Sequence, residues 1–268
     1  GIGTDGHRIE AFIPGDIHAT AIDPTVLKLA ATGRQNMIDV LRPKFVVIHD
    51  LLEGASVNHH AADQPLERYK TENRGLTTIQ SELQATADTL KKYYRAFSEL
   101  KIVNSNHNRW LDRWLDSKDV GRIDARNLKM FFDGNLARLY AADGGDHLNV
   151  LEYLMRKYTT LALPSVEFLG LNQTFLLCNK KLEAGMHGDF GANGSRGGPK
   201  QLAKIGRKAI TAHSHVTGIY DGLYVAGTST QFDMGYNNGP SSWSHSHVIV
   251  YKNGKRAIIT MFKDKWRA

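Results

Sequence analysis

Three short apolar runs near the start of the chain each end on a cluster of Asp, Asn or His. That rhythm restricts the possible folds more than any other feature. The run 9–14 leads to Gly15-Asp16-Ile17-His18, Lys44-Phe45-Val46-Val47-Ile48 leads to His49-Asp50, and Lys101-Ile102-Val103 leads to Asn104-Ser105-Asn106-His107. Residues 24–41 have helical spacing through Val26, Leu27, Leu29, Ala30, Met37, Ile38 and Leu41, and Pro43 ends that segment. Residues 54–75 are polar and read as a loop. Residues 76–100 read as a long helix with Ile79, Leu83, Ala87, Leu90 and Tyr94 on one face. Strand–helix–strand order predicts parallel pairing with a right-handed crossover. Ligands in such sheets collect beyond the carboxyl ends of the strands, where Asp16 and Asp50 fall.

From 109 to 158 the pattern stays helical, with aromatic residues at Trp110, Trp114, Phe131, Phe132, Tyr140 and Tyr153. They read as core in preference to a base-stacking platform. After Pro164 short apolar runs alternate with turns, at 166–169, 174–177, 209–211, 222–225, 246–251 and 257–261. Asn253-Gly254 signals a hairpin between the last two, and one helical interlude spans 199–207. The expectation is a single α/β domain over 1–268, without a linker or internal repeat, carrying a helical insertion at 109–158.

Composition narrows the class. At 268 residues, with 41% hydrophobic and 23% charged residues, the chain resembles a soluble globular protein that can bury a substantial core. No apolar run approaches the roughly 20 residues needed to span a bilayer, and the first residues lack the basic and apolar regions of a secretory signal. A cytoplasmic location is expected. The chain begins at Gly1 and reads as a processed product or a piece of something longer. The one cysteine, Cys178, excludes an internal disulfide, suits a reducing compartment and reads as a buried structural thiol. The net charge of +7 is uneven: from Lys180 onward 13 Lys and Arg face 5 Asp and Glu, whereas the first 179 residues carry 21 against 22. A basic C-terminal third suggests a polyanionic partner, nucleic acid first; a solvated basic face is the alternative.

Two further elements complete a series: His187, and Thr211-Ala212-His213-Ser214-His215. Mixed carboxylate, amide and imidazole donors suit Mn, Fe or Zn better than an all-oxygen magnesium site. A pair of such ions about 3.5–4 Å apart can generate a nucleophile and clamp a phosphoryl group. Taken singly, each element has an ordinary reading as a turn or a polar loop. His245 and His247 form a second His-x-His, read here as sharing one face of a late strand. His7, His59, His60 and His147 receive no role.

The ordered set Asp16-Ile17-His18, Asp50, Asn106-His107, His187 and His213-Ser214-His215 resembles the five-part signature of the calcineurin-like metallophosphoesterase superfamily. The stretch from Ile219 to Ser229 resembles that family's closing strand and turn. The resemblance spans nearly the whole chain except 109–158. It implies a sandwich of mixed sheets flanked by helices, holding two divalent ions, Mn first, with Fe, Zn or Mg as alternatives. Asp16, His18 and His215 would hold one ion, and Asn106, His187 and His213 the other. Asp50 would bridge them together with a hydroxide that attacks in line. His107 would sit beside the scissile phosphate, stabilising charge or donating a proton to the leaving oxygen. The ions outweigh two carboxylates and the hydroxide by one unit, leaving a site attractive to a phosphodiester.

Two positions depart from the family pattern. His49 stands where Gly usually precedes the bridging Asp, and Asn108 stands where an acidic residue usually follows the catalytic His. Asn108 could accept a hydrogen bond from the ring but cannot stabilise an imidazolium by charge. The basic third points to the DNA-processing nuclease branch, which includes phage-encoded DNases, with DNA as substrate. Arg196 and Lys200, on and just after the glycine-rich loop 189–199, and Asn108 are the candidate substrate contacts; a solvated surface loop is the alternative for that segment. A phosphomonoesterase or small-molecule or cyclic-nucleotide phosphodiesterase is the other enzymatic reading, and a non-catalytic binding protein on the same fold is a third. Oligomeric state stays open, a homodimer or larger assembly included.

Overall fold

The first four strands, β1 (Ile9–Ile13), β2 (Pro43–Ile48), β3 (Glu99–Ile102) and β4 (Val166–Phe168), pair in parallel in that order. The computed structural model describes residues 4–57, 64–234 and 240–267; His59 and His60 lie outside them. Five further strands form a second sheet in the order β5-β6-β7-β9-β8: β5 (Leu176–Leu177), β6 (Leu182–Glu183), β7 (Ala209–Thr211), β8 (Gly218–Tyr220) and β9 (Leu223–Val225). The hairpin of β10 (Ser246–Val250) and β11 (Arg256–Thr260) joins the first sheet antiparallel to β1, giving β11-β10-β1-β2-β3-β4. Its turn closes at Asn253-Gly254, with Gly254 at φ 86°, a conformation open to glycine at little cost.

Alternation along the central strands separates two cores. Ala11, Ile13, Val47, Val248 and Val250 face the second sheet and meet Leu177, Leu182, Ala184, Ile210 and Ala226. Phe12, Val46, Ile48, Leu100 and Ile102 face the helices. A smaller cluster of Leu202, Ala209, Leu223 and Val225 covers the far side of the second sheet. The architecture is α/β, with two mixed sheets flanked by helices.

The helices differ from the sequence reading in instructive ways. Residues 24–41 are not one helix: α1 (Pro24–Leu27) runs into a π-helical turn (Lys28–Thr32), the chain turns, and α2 (Met37–Leu41) starts afresh. The break lies at Gly33 and at Asn36, whose side chain accepts from Asp39 N–H and donates to the Gly33 carbonyl. Within 54–75, read as a loop, residues Pro65–Asn73 form α3. It buries none of its residues, so apolar periodicity had nothing to register. The long segment 76–100 yields α4 (Ile79–Tyr93) only, and strand β3 begins at Glu99. Residues 109–158 hold α5 (Trp110–Leu115), α6 (Leu128–Asp143) and α7 (Val150–Tyr158). Trp114 and Phe131 pack edge to face in the core, but Phe132 and Tyr140 are exposed, so the aromatic stripe is core only in part. The interlude near 199–207 is α8 (Pro199–Leu202) with a following 3-10 turn. Among the described residues no helix is long and apolar enough to cross a membrane. Cys178 is buried.

A candidate metal centre at the carboxyl ends of the strands

The parallel strands deliver their polar C-terminal residues to one place. Asp16 follows β1, Asp50 follows β2, and Asn106 and His107 follow β3. The two sheets are stitched together here: Asp16 N–H donates to the Gly227 carbonyl (3.1 Å) and Ser229 N–H to the Asp16 carbonyl (2.9 Å). This seam needs Gly15, because a Cβ there would lie 2.6 Å from the Thr228 nitrogen. The seam brings the first sheet's ligands to His187, beyond β6, and to His213 and His215, beyond β7.

Three donor groups result among the described residues: His18, Glu53 and His107 form one, and the other two share Asp50. Asp16, His18, Asp50 and His215 offer ligand atoms that all lie within 4.8 Å of one another, and so do those of Asp50, His187 and His213. Asp50 Oδ2 lies 3.4 Å from His18 Nε2 and 3.1 Å from His187 Nε2. His18 Nε2 and His215 Nε2 face each other at 3.2 Å, and His215 Nε2 is 3.0 Å from Asp16 Oδ2. Asn106 Oδ1 joins the Asp50, His187 and His213 group, 3.2 Å from His187 Nε2. Asp16 Oδ1 and Asp50 Oδ1 are buried without a hydrogen-bond partner. Orphaned carboxylate oxygens are costly, and a cation would satisfy both. These buried His and Asp groups could hold a metal ion.

The backbone contributes to this convergence. His18, Asp50, His213 and His215 adopt φ values of 41°, 45°, 72° and 60°. Non-glycine residues rarely enter this region, and when they do the strain tends to sit at functional sites. Hydrogen bonds hold the turns: His18 N–H donates to the Asp50 carbonyl (2.7 Å), and His213 N–H donates to Asp16 Oδ2 (3.0 Å).

Burial opposes charge on Asp16, Asp50, His18, His187 and His213, yet the neighbours reverse the balance for all but His213. Asp16 stays below the usual carboxylate range because of His215 and His187. Asp50 lies well below it, held by His187 and His107. Glu53 and Asp50 lift His18 to about 9, and Asp50 raises His187. Burial and the adjacent His187 push His213 down. Without metal, then, His18 holds a proton through neutral pH, and an incoming cation must displace it. A raised imidazole pKa means that higher pH removes the competitor. Apparent metal affinity should therefore climb with pH until it levels off near pH 9, with protons released on binding. Calorimetry in buffers of different ionisation enthalpy measures this; a buffer-independent heat with flat affinity would contradict it.

His107 stands beside the two groups that share Asp50. Its Nδ1 bonds the Glu53 carbonyl at 2.7 Å, its ring stacks on Trp110 with centroids 4.4 Å apart, and it meets His18 edge-on. Asn108 is engaged elsewhere: its Oδ1 accepts from Leu52 N–H and its Nδ2 donates to the Val103 carbonyl, both while buried. It ties the Asp50 loop to the β3 end. Orientation of the His107 ring falls to the Glu53 carbonyl and Trp110, a correction to Asn108 as the ring's partner. Arg196 and Lys200 are exposed on the segment that follows His187. That loop folds back tightly, since a Cβ on Gly197 would lie 2.0 Å from the Gly188 carbonyl oxygen. Not all of the basic third is available to a partner: Arg256 donates to the Ala209 and Gly222 carbonyls, and Arg207 pairs with Glu183.

Several participants escaped sequence reasoning. Glu53, three residues past Asp50, pairs with His18 Nδ1 at 2.6 Å. Its signal was a carboxylate directly behind a ligand-bearing strand end. Glu82 of α4 accepts from Gly54, Ala55 and Ser56 N–H at 2.7–2.9 Å and so holds the Glu53 loop. Arg109 pairs with Asp189 and bonds Asn104. Trp243 lies edge-on to His215. His247 is buried and accepts from Gly15 N–H; among the described residues neither it nor His245 belongs to a donor group.

His49, directly before Asp50, is fully buried and stacks on His187, their Nδ1 atoms 3.2 Å apart. Burial and the neighbouring His187 depress it to about 3, so it stays neutral and its Nδ1 can accept a hydrogen bond donated by His187 Nδ1–H. That turns His187 Nε2 toward Asp50. Partners behind a metal-binding His typically contribute 10–100-fold in affinity. His49→Phe keeps the stack and loses the acceptor, so it should weaken metal binding at the Asp50, His187 and His213 group by about 10-fold or more and spare the Asp16, His18 and His215 group. Titration with a metal-sensitive dye measures this; equal loss at both positions would count against it.

Fold and site together define an α/β protein with two mixed sheets and a buried His/Asp cluster suited to metal. Among curated proteins the chain is similar to Protein A1 of Escherichia phage T5, 37% identical over 270 aligned residues that cover 99% of this chain and 48% of the relative. The chain thus spans about half the length of the relative it matches, and the match fits a phage origin. No family model matches the chain, and no solved structure matches it.

Proposed function

We propose that the protein is a dinuclear metal-dependent phosphodiester hydrolase, and specifically a nuclease acting on DNA. The observation that carries this reading is Asp50, a buried carboxylate shared between two adjoining groups of His, Asp and Asn donors. Two divalent ions held there would supply an activated water and neutralise charge on the phosphoryl oxygens. Mn²⁺ suits the mixed donors best, with Fe, Zn and Mg as alternatives. Asp16, His18 and His215 would hold one ion, Asn106, His187 and His213 the other, with Asp50 between. His107, steadied by the Glu53 carbonyl and Trp110, would donate its proton to the departing oxygen.

Exposed cations behind His187, among them Arg196, Lys200 and Lys204, favour an extended polyanion over a compact ester. A phage-encoded DNase would meet such a substrate in the host cytoplasm. The test is incubation with linear and circular DNA and Mn²⁺, alongside a small phosphodiester, over a salt series. Cleavage of DNA with strongly salt-dependent binding supports the nuclease. Turnover of the small ester without DNA cleavage replaces it with a small-molecule phosphodiesterase, and turnover of neither ends the hydrolase reading.

A further inference from the structure

Helix α6 is apolar on two opposite sides. Met130, Phe131 and Gly134 are buried, Gly134 close enough to α5 that a Cβ would lie 3.1 Å from the Leu115 side chain. At about 100° per residue, Phe132, Leu136, Leu139 and Tyr140 fall on a stripe centred on the far side. They are 58%, 49%, 64% and 69% exposed. Large apolar residues at i, i+4, i+7 and i+8 are the pattern by which a helix buries a face.

The charges on this helix are placed against its own dipole. Lys129 stands in the first turn and Asp143 is the last residue, with no acid in the first turn and no base in the last. An isolated helix prefers the reverse. Both residues are exposed on the stripe side, and among the described residues neither forms an ion pair. The pattern is also self-complementary. Phe132 and Tyr140 lie four residues either side of Leu136, and Lys129 and Asp143 lie seven either side.

We infer that α6 is a two-fold interface between two copies of this chain, an inference independent of the proposed reaction. Two α6 helices packed antiparallel about Leu136 set Leu136 on its equivalent, Phe132 on Tyr140 of the second copy, and Lys129 on Asp143 of the second copy. Each contact occurs twice, as an isologous interface requires. Each misplaced charge then gains an opposite charge and the favourable end of a neighbouring dipole. A 16-residue helix is about 24 Å long, so the contact is at the small end for stable association. Dissociation at about micromolar concentration is expected.

Sedimentation velocity from about 1 to 200 µM, a range bracketing that estimate, tests the interface. Wild type should shift from monomer to dimer with concentration. Leu136→Glu should remain monomeric with an unchanged circular dichroism spectrum. Lys129→Asp and Asp143→Lys should each weaken the dimer about tenfold, and the double variant, which exchanges the charges, should restore it. A wild-type monomer throughout assigns the stripe to a different partner and overturns the inference. So does a dimer that survives Leu136→Glu, or a charge exchange that fails to restore what the single variants lose.

Discussion

Asp50→Asn is expected to abolish binding at both metal positions and to lower phosphodiester hydrolysis about a thousand-fold, the scale on which a central charge-stabilising group acts in a closed site. Asn has the same shape, and the backbone role survives, since His18 N–H bonds the Asp50 carbonyl and not its side chain. What disappears is the negative charge common to both donor groups. His18 Nε2 and His187 Nε2 would face an amide in place of a carboxylate at 3.4 and 3.1 Å, and the orphaned Oδ1 would lose its reason to be buried. A change at a residue belonging to one group, such as His213→Ala, should empty one position only. Metal content by mass spectrometry, read with DNA cleavage, separates the cases. Two ions per chain in Asp50→Asn, with near-normal activity, would mean that Asp50 does not bridge.

His107→Ala should keep the metals and lose the reaction. His107 lies with His18 and Glu53 and outside the two groups that share Asp50; in the proposed assignment those two groups hold the ions, so ion content should match the wild type, and loss of an ion would instead make His107 a ligand. Removal of a general acid typically costs 10²–10⁴-fold, and the loss should appear in kcat with KM little changed. The leaving group provides the sharper discriminant. A p-nitrophenolate departs without a proton, so p-nitrophenyl phosphodiesters should be hydrolysed nearly as fast by His107→Ala as by the wild type, while DNA cleavage collapses. Equal losses on both substrates would make His107 a charge stabiliser for the phosphoryl group instead of a proton donor. Trp110→Leu should give a milder version of the same split, because it removes the stacked ring but leaves the Glu53 carbonyl bond.

Much of the frame was legible because strand signals are local. The runs ending at Asp16, Asp50 and Asn106-His107 are apolar and β-branched, and they form neighbouring parallel strands. The helices were less legible. Asn36 caps a new helix by a side-chain bond that interrupts an otherwise regular period, and α3 has no buried face for periodicity to detect. At the site, the residues drawn together around Asp50 all appear in the ordered motif series. Glu53, Glu82 and Trp110 do not, because each acts on a ligand, a loop or a ring whose position in space no spacing rule encodes.

The sequence by itself determined which strands exist, that their polar ends carry metal-type donors, and that the C-terminal third is basic. These follow from side-chain chemistry and period-two or 3.6 patterns, which reside in neighbouring residues. The tertiary structure decided that Asp50 is common to two donor groups and that His18, Asp50, His213 and His215 sit in strained left-handed turns. It also decided that Asn108 is occupied with backbone while Glu53 and Trp110 hold His107, and that α6 leaves an apolar side uncovered. Each of these depends on the seam between two sheets or on the packing of one helix against another. Such contacts join residues as far apart in sequence as Gly15 and His247, and their energies are settled only when the whole chain has closed.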